Sequence, residues 1–304
     1  MPSPLDRPEV AALLAATPYA DVAVSTRRGP HVTPAAFAAA HGRLWVVSSR
    51  RTVRVRAIRR TGLACALVRN GDRSVVVSGR AAVLSPWPPT EALALAAGAL
   101  PAAEAAFRYT LRNLRLVLAG FAADLATGAG DPTVYDRVLV SIDADRGMLV
   151  DGDAVLDTWG RWRRTQRPQR RMPLDAHAET LPDLDDLLAG VPAKPAAALE
   201  RRDTAALGWL GPTGPIVLPA PGGVEDGGTV HVARRALEVA SADGRSQACI
   251  TVHDSDSPRP SEFRGVVLRG EGVVSRRGAA RATVRVATER VSWWSGFRAG
   301  TSSG

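Results

Sequence analysis

The chain has 304 residues, 45% of them hydrophobic and 23% charged, with a formal charge of +9. Such a composition belongs to a soluble globular protein able to bury a sizeable core, and the length suits two ordinary domains or one large one. No apolar run reaches the length of a membrane-spanning helix. With one lysine, Lys194, the positive excess is arginine, which fits GC-rich codon usage and favours anionic partners.

In chain order, "MPSPLDRPEVAALLAATPYA" sets Asp6, Arg7 and Glu9 where a secretion leader needs a positive region followed by a long apolar one. It reads as a short amphipathic helix, and a cytoplasmic setting is expected. Runs of Val, Ile, Thr and aromatic residues follow at 20–26, 31–37, 43–49, 63–69 and 74–84, bounded by "RRGP", "HG" and "NGD". These are the strands and turns of a β barrel or sandwich. Residues 90–127 turn to Ala and Leu with helical spacing, Leu111, Leu114, Leu118 and Phe121 marking one face. "RVLVSID" (137–143) and "MLVDG" (148–152) close this half. Basic, then acidic and proline-bearing sequence over 159–200 reads as a linker.

Beyond the linker the pattern recurs. "GPHVTPA" (29–35) is matched by "GPIVLPA" (214–220), "GRLWV" (42–46) by "GTVHV" (228–232), and "LACALV" (63–68) by "QACITV" (247–252). "SVVVSGRAAVLS" (74–85) is matched by "GVVLRGEGVVSR" (265–276), and the closing strands correspond as well. Five matches in the same order point to two copies of one β unit, the helical insert present only in the first. Cys65 and Cys249 fall on the same strand of each copy, buried and unpaired, as in a reducing compartment.

The segment "VSSRRTVRVRAIRR" (47–60) breaks local rules. A helix starting near Ser49 puts Arg50, Arg51 and Arg54 at an N-terminus that is already positive. An anion there resolves the conflict, with hydroxyls from Ser48, Ser49 and Thr52, free amides and the arginines as donors. The competing reading is a solvated basic helix with Val53, Ala57 and Ile58 as its buried stripe. On these residues alone both readings stand.

The order "GPHVTPAAF", then "GRLWVVSS", then "RRTVRVRAIRR" resembles the FMN-binding split-barrel family, the pyridoxamine 5′-phosphate oxidase-like proteins. The resemblance covers residues 10–85 and, loosely, 137–151. It implies a fold that is mainly β with an α insert: two tandem split β-barrels, over 1–158 and 201–304, the second degenerate. It implies that Val32, Thr33 and Pro34 line a flavin ring and that Ser48, Ser49, Arg50, Arg51, Thr52 and Arg54 hold its phosphate. The family's Ser/Thr-x-Lys-x-x-Asn-Leu pattern here reads Thr52-x-Arg54-x-x-Ala57-Ile58, with arginine in place of lysine and alanine in place of asparagine. FMN is the implied cofactor, with deazaflavin coenzyme F-420 or haem as alternatives; the deazaflavin's anionic glutamyl tail suits the extra arginines. The implied activity is a flavin- or deazaflavin-dependent oxidoreductase acting on a small organic substrate. A non-catalytic ligand-binding or sensor protein and a haem-binding barrel are the rivals.

No membrane partner and no nucleic acid are expected. A pseudo-dimer within one chain is, with a further homodimer as an option. The second copy reads "ARRALEV" (233–239) at the anion site, without hydroxyls and with Glu238 near the phosphate's place. Trp293 and Trp294 are candidates to cover the ring, or ordinary packing residues. Five histidines show no zinc spacing; His31, His231 and His253 are the possible haem ligands. "WGRWRRTQRPQRR" (159–171) suits an acidic partner but reads better as linker, and Asp185 with Asp186 as an acidic face. The loop "SDSPRPSEFRG" (255–265) is placed to reach the first copy.

Overall fold

Two-residue turns set the strand pairing of the first half. His41 and Gly42 both take left-handed backbone (φ 53° and 69°), the geometry that joins twisted strands in register. The computed structural model describes residues 3–85, 91, 96, 99–114, 137–162, 183–225, 227–242, 244–254, 262–296 and 298–303. Helix α1 (Pro8–Ala16) leads into β1 (Tyr19–Thr26), β2 (Gly29–Ala40), β3 (Arg43–Ser49), α2 (Val53–Thr61), β4 (Leu63–Asn70) and β5 (Arg73–Leu84). Helix α3 (Ala99–Arg112), β6 (Arg137–Asp143), β7 (Arg146–Asp151) and β8 (Ala154–Trp159) complete the half. The sheet runs β4-β1-β2-β3-β6-β5-β7-β8, and β4 also pairs with β5, so six of its strands close into a barrel. Strand β2 is shared: residues 29–36 pair with β1, and only 37–40 pair with β3.

Helices α4 (Leu184–Ala189) and α5 (Ala193–Ala196) follow, inside the stretch read as linker. Leu187 and Val191 join the second half's core, so this part packs as structure, while 163–182 lies outside the described residues. Asp185 and Asp186 sit exposed in the first turn of α4, as an acidic face would.

The second sheet contains β9 (Ala206–Gly211), β10 (Gly214–Pro219), β11 (Thr229–Ala233), β12 (Arg245–Asp254), β13 (Arg264–Arg277), β14 (Arg281–Ser295) and β15 (Arg298–Ser303), with α6 (Arg234–Val239) between β11 and β12. Its order is β10-β9-β12-β13-β14-β11, with β15 on β14 and no pairing of β10 with β11. The reason is local. Strand β10 ends at Pro219, and the places that in β2 reach β3 are here occupied by Gly222, Gly223 and their neighbours. The second sheet therefore curls without closing.

Registers verify the repeat residue by residue. Cys65 lies opposite Ala23 and Ser78; Cys249 lies opposite Gly208 and Arg269. Ser78 in turn faces Arg146, as Arg269 faces Arg290. One match shifts. Val140 and Val284 are equivalent, facing Val83 and Val274, and their other partners are Val46 and Val230. The β3–β11 correspondence is thus two residues off the sequence match, and Ala233 stands where the first copy has Ser49. Gly79 and Gly270 are also equivalent. Gly79 sits where β5 passes from β7 to β6 and Gly270 where β13 shifts register against β14, and a Cβ there overlaps the carbonyl oxygen of Asp143 or of Ala287.

The halves share one core. Ala23, Val32, Cys65, Leu67, Val76 and Met148 belong to the same buried cluster as Trp209, Ile216, Cys249 and Val252. Burial raises both thiols to about 11, so neither is a thiolate at neutral pH. Between the halves Asp21 is buried, His253 Nε2 lies 2.7 Å from Asp21 Oδ1, and Arg69 pairs with Oδ2 while donating to the carbonyls of Ala205 (2.6 Å) and Thr204 (2.8 Å). No described helix is long and apolar enough to cross a membrane.

Candidate functional site at the opening of the first barrel

Helix α2 begins where β2 parts from β3. Thr52, not Ser49, is its N-cap: its hydroxyl accepts from Val55 N (3.3 Å) and donates to the Ser49 carbonyl (2.9 Å). Ser48 Oγ lies 3.1 Å from Thr52 Oγ1, so its proton goes to Thr52. Both hydroxyl protons are thereby held within the turn, and an anion reaches Ser48 only by rotating it. Glycine ends the helix, with Gly62 left-handed (φ 65°) and its N–H on the Ile58 carbonyl.

The six arginines of this stretch divide sharply. Arg51, Arg56, Arg59 and Arg60 are exposed; Arg59 pairs with Glu91 and Arg60 donates to the Ser25 carbonyl. Arg50 reaches Ser85 Oγ at 3.2 Å. Arg54 alone is buried, 8% exposed, alongside Val55, Ala57 and Ile58. The expected stripe is corrected here, because Val53 is 38% exposed and Val55 takes its place.

Arg54 fills the gap left by the parting strands. Its Nη2 donates to the Thr33 carbonyl (3.0 Å), Thr33 Oγ1 (2.6 Å) and the Pro34 carbonyl (3.1 Å). Among the described residues it has no carboxylate partner, and its buried Nε has no acceptor. Burial lowers its pKa to about 10, against the opposing pull of Tyr109 and Asp21, so it stays charged at neutral pH. A buried cation resting on carbonyls with one donor unmet is costly, which makes Arg54 a candidate to hold an anion.

Val32 is elsewhere. It is fully buried against the second sheet, beside Gly208, so it cannot line a ring at this opening. Thr33 and Pro34 are half-buried, and both accept from Arg54 Nη2. The sequence reading missed Tyr109, because it placed the insert's inner face on Leu111 and Leu114. These are 58% and 44% exposed, whereas Ala102, Ala105 and Tyr109 are buried. Tyr109 packs with Ala36, Ala38, Tyr19 and Val47. Leu118 and Phe121 lie outside the described residues. From the second half, Phe263 meets Tyr19 edge-on with centroids 5.0 Å apart, so the end of the 255–265 loop does reach the first copy. Trp293 and Trp294 do not: their rings lie over Gly300 and Gly265 of their own sheet.

His31 sits on β2 between two cations, its Nδ1 bonded to Arg269 Nη2. Burial first, then Arg269 and Arg54, push its pKa down to about 3, so the ring is neutral and accepts from Arg269. Below pH 6.5 the unfolded chain takes up a proton here that the folded chain refuses until about pH 3. Stability is therefore expected to fall as pH drops from 7 to 4.5, and His31→Gln to flatten that slope, as read from urea midpoints. An unchanged slope in the variant contradicts this placement.

Of the other possible haem ligands, His253 is bound to Asp21 and His231 lies between Glu225 (3.1 Å) and Thr283 (3.2 Å). No group of three or more metal-binding side chains occurs among the described residues.

A closed barrel whose strand β2 splits between two neighbours, with a capped helix at the gap, decides the architecture. The first half is a split barrel; the second is an open copy of it. No family model and no curated protein matches the chain. Among solved structures, similarity extends to a pyridoxamine 5′-phosphate oxidase-related, FMN-binding protein of Nostoc punctiforme, at 16% identity over 50% of this chain and 86% of that one (TM-score 0.35). A FAD-binding protein of Mesorhizobium loti matches at 19% over 46% and 89% (TM-score 0.31). A conserved hypothetical protein of Mycobacterium tuberculosis matches at 22% over 47% and 83% (TM-score 0.33). Each spans about half of this tandem split barrel.

Proposed function

We propose that the first split barrel binds a phosphate-bearing flavin, FMN or the deazaflavin coenzyme, and serves as an oxidoreductase for a small organic substrate. The observation that carries this reading is Arg54: a buried guanidinium at the start of α2, with no carboxylate bonded to it among the described residues and an unmet Nε. Arg50, Arg54 and the first amides of α2 are the donors for the phosphate, with Ser48 and Thr52 joining if their hydroxyls turn, and Ser49 and Arg51 on the rim. Thr33 and Pro34 border the ring. A bound flavin supplies the hydride chemistry itself, so this chain need only hold and orient it. Tyr109, its pKa raised by burial, keeps its phenol proton and walls the opening.

Charge reversal at Arg54 is a poor test, because a glutamate would sit buried against the Thr33 and Pro34 carbonyls and disturb the fold. The spectrum of the purified protein is the better one, taken before and after adding FMN or the deazaflavin coenzyme and then gel filtration. A flavin or deazaflavin absorbance that travels with the protein is the expected result. A Soret band would transfer the reading to haem, and no retained chromophore with any of the three would end it.

A further inference from the structure

Helix α3 packs one face on the barrel through Ala102, Ala105 and Tyr109, and its opposite face is apolar as well. Four of the six large hydrophobic side chains exposed among the described residues stand on it or just past its end: Leu100 (86%), Phe107 (64%), Leu111 and Leu114. At about 100° per residue they fall within one narrow sector. Scattered surface leucines are ordinary, but a continuous stripe marks a contact site. The helix that presents it is held in place. His41 Nε2 lies 2.8 Å from Glu104 Oε2, and Arg112 donates to the carbonyls of Leu14 and Thr17 at the end of α1. Asn113 Nδ2 donates to the Tyr109 carbonyl at 2.9 Å and to that of Phe37 at 3.4 Å.

The stripe is symmetric about its centre. Phe107 stands seven residues from both Leu100 and Leu114, and four from both Leu111 and Ala103. A second α3 laid antiparallel about Phe107 therefore sets apolar against apolar along the whole contact. Glu104 and Arg108, paired at 2.6 Å, lie on one edge of the stripe, and the two-fold axis brings equal edges together. Each copy's Glu104 then comes beside the other's Arg108, so the charges are self-complementary too. Ala103, Ala106 and Thr110 on the other edge let the helices approach closely.

We infer that α3 is the interface of a two-fold dimer, packing on the α3 of a second copy of this chain. Four apolar side chains from each copy remove about 1,000 Å² from water, the lower end for a specific association. In the second half, β13 and β14 are joined directly through 278–280, so each chain offers this helix once. An isologous contact offered once closes as a dimer and does not grow further.

Sedimentation velocity of the whole chain over a concentration series tests this. A monomer–dimer equilibrium in the micromolar range is expected. Phe107→Glu sets two carboxylates face to face on the axis and should raise the dissociation constant roughly a hundredfold. Its urea midpoint at high dilution should stay near that of wild type, because the ring lies mostly in water within one chain. Glu104→Arg and Arg108→Glu should each weaken the dimer roughly tenfold, and the double exchange should restore it. On oxidation, Phe107→Cys should give a disulfide-linked dimer, whereas Leu156→Cys, exposed on β8, should not. A wild type that stays monomeric throughout the series overturns the inference, whether another segment of the chain or a different protein covers the stripe. So does a dimer that Phe107→Glu leaves intact, or one that the double exchange fails to restore.

Discussion

Replacing Asp21 by alanine is expected to destabilise the chain by about 3–5 kcal/mol, the range for breaking a buried ion pair from one side. The loss has two parts. Arg69, 15% exposed, keeps the Ala205 and Thr204 carbonyls but loses its counter-charge, and His253 loses its acceptor at 2.7 Å. Because His253 comes from the second half, the damage falls on the joint between the halves. Burial alone would raise the Asp21 pKa, but His253 and Arg69 overcome it and hold the carboxyl below its ordinary value. The stabilisation is therefore complete above about pH 4 and fades as pH falls through the folded-state value. Urea unfolding of wild type and variant at pH 7 and pH 3 measures it: the gap between them should narrow in acid. A loss under about 1 kcal/mol at pH 7 would show that Asp21 is no keystone.

The second large effect is expected at the strand corners. A methyl group at Gly79 would overlap the Asp143 carbonyl oxygen, and one at Gly270 the Ala287 carbonyl oxygen, and backbone cannot step aside as a flexible side chain can. Gly79→Ala and Gly270→Ala should each cost about 3 kcal/mol. Gly71→Ala is the control. That glycine is left-handed (φ 59°) but has open space around it, so its cost should stay near 1 kcal/mol. Melting temperatures ranked Gly71→Ala above both corner variants support the corner geometry; the reverse order contradicts it.

Much of the fold was legible in the sequence because strand registers in this chain are tied to marked residues. The paired cysteine strands and the "SG"/"RG" steps at Gly79 and Gly270 recur in the same order and pair in the same way. The slip at β11 was not legible, since β10 stops early and nothing in "GTVHV" reports which residue then faces β14. At the site, the sequence showed that arginines and hydroxyls gather at the start of α2, but not which arginine is buried. That depends on the gap in β2, a feature of pairing between distant strands. Tyr109 was hidden by a stronger leucine pattern facing outward. Arg269 was hidden because it lies 238 residues from its partner His31 and looks like any arginine on a strand.

The joint at Asp21 also determines which surfaces recognise each other. By register, His253 occupies in the second copy the place of Arg69 in the first, and Ala206 the place of Asp21. Two second halves meeting across the same surface would bring His253 to a methyl group, with no carboxylate on either side. Among the described residues, Asp21 of the first half is bonded to both Arg69 and His253. The two faces of the joint are thus unlike, the acid on the closed barrel and the histidine on the open copy.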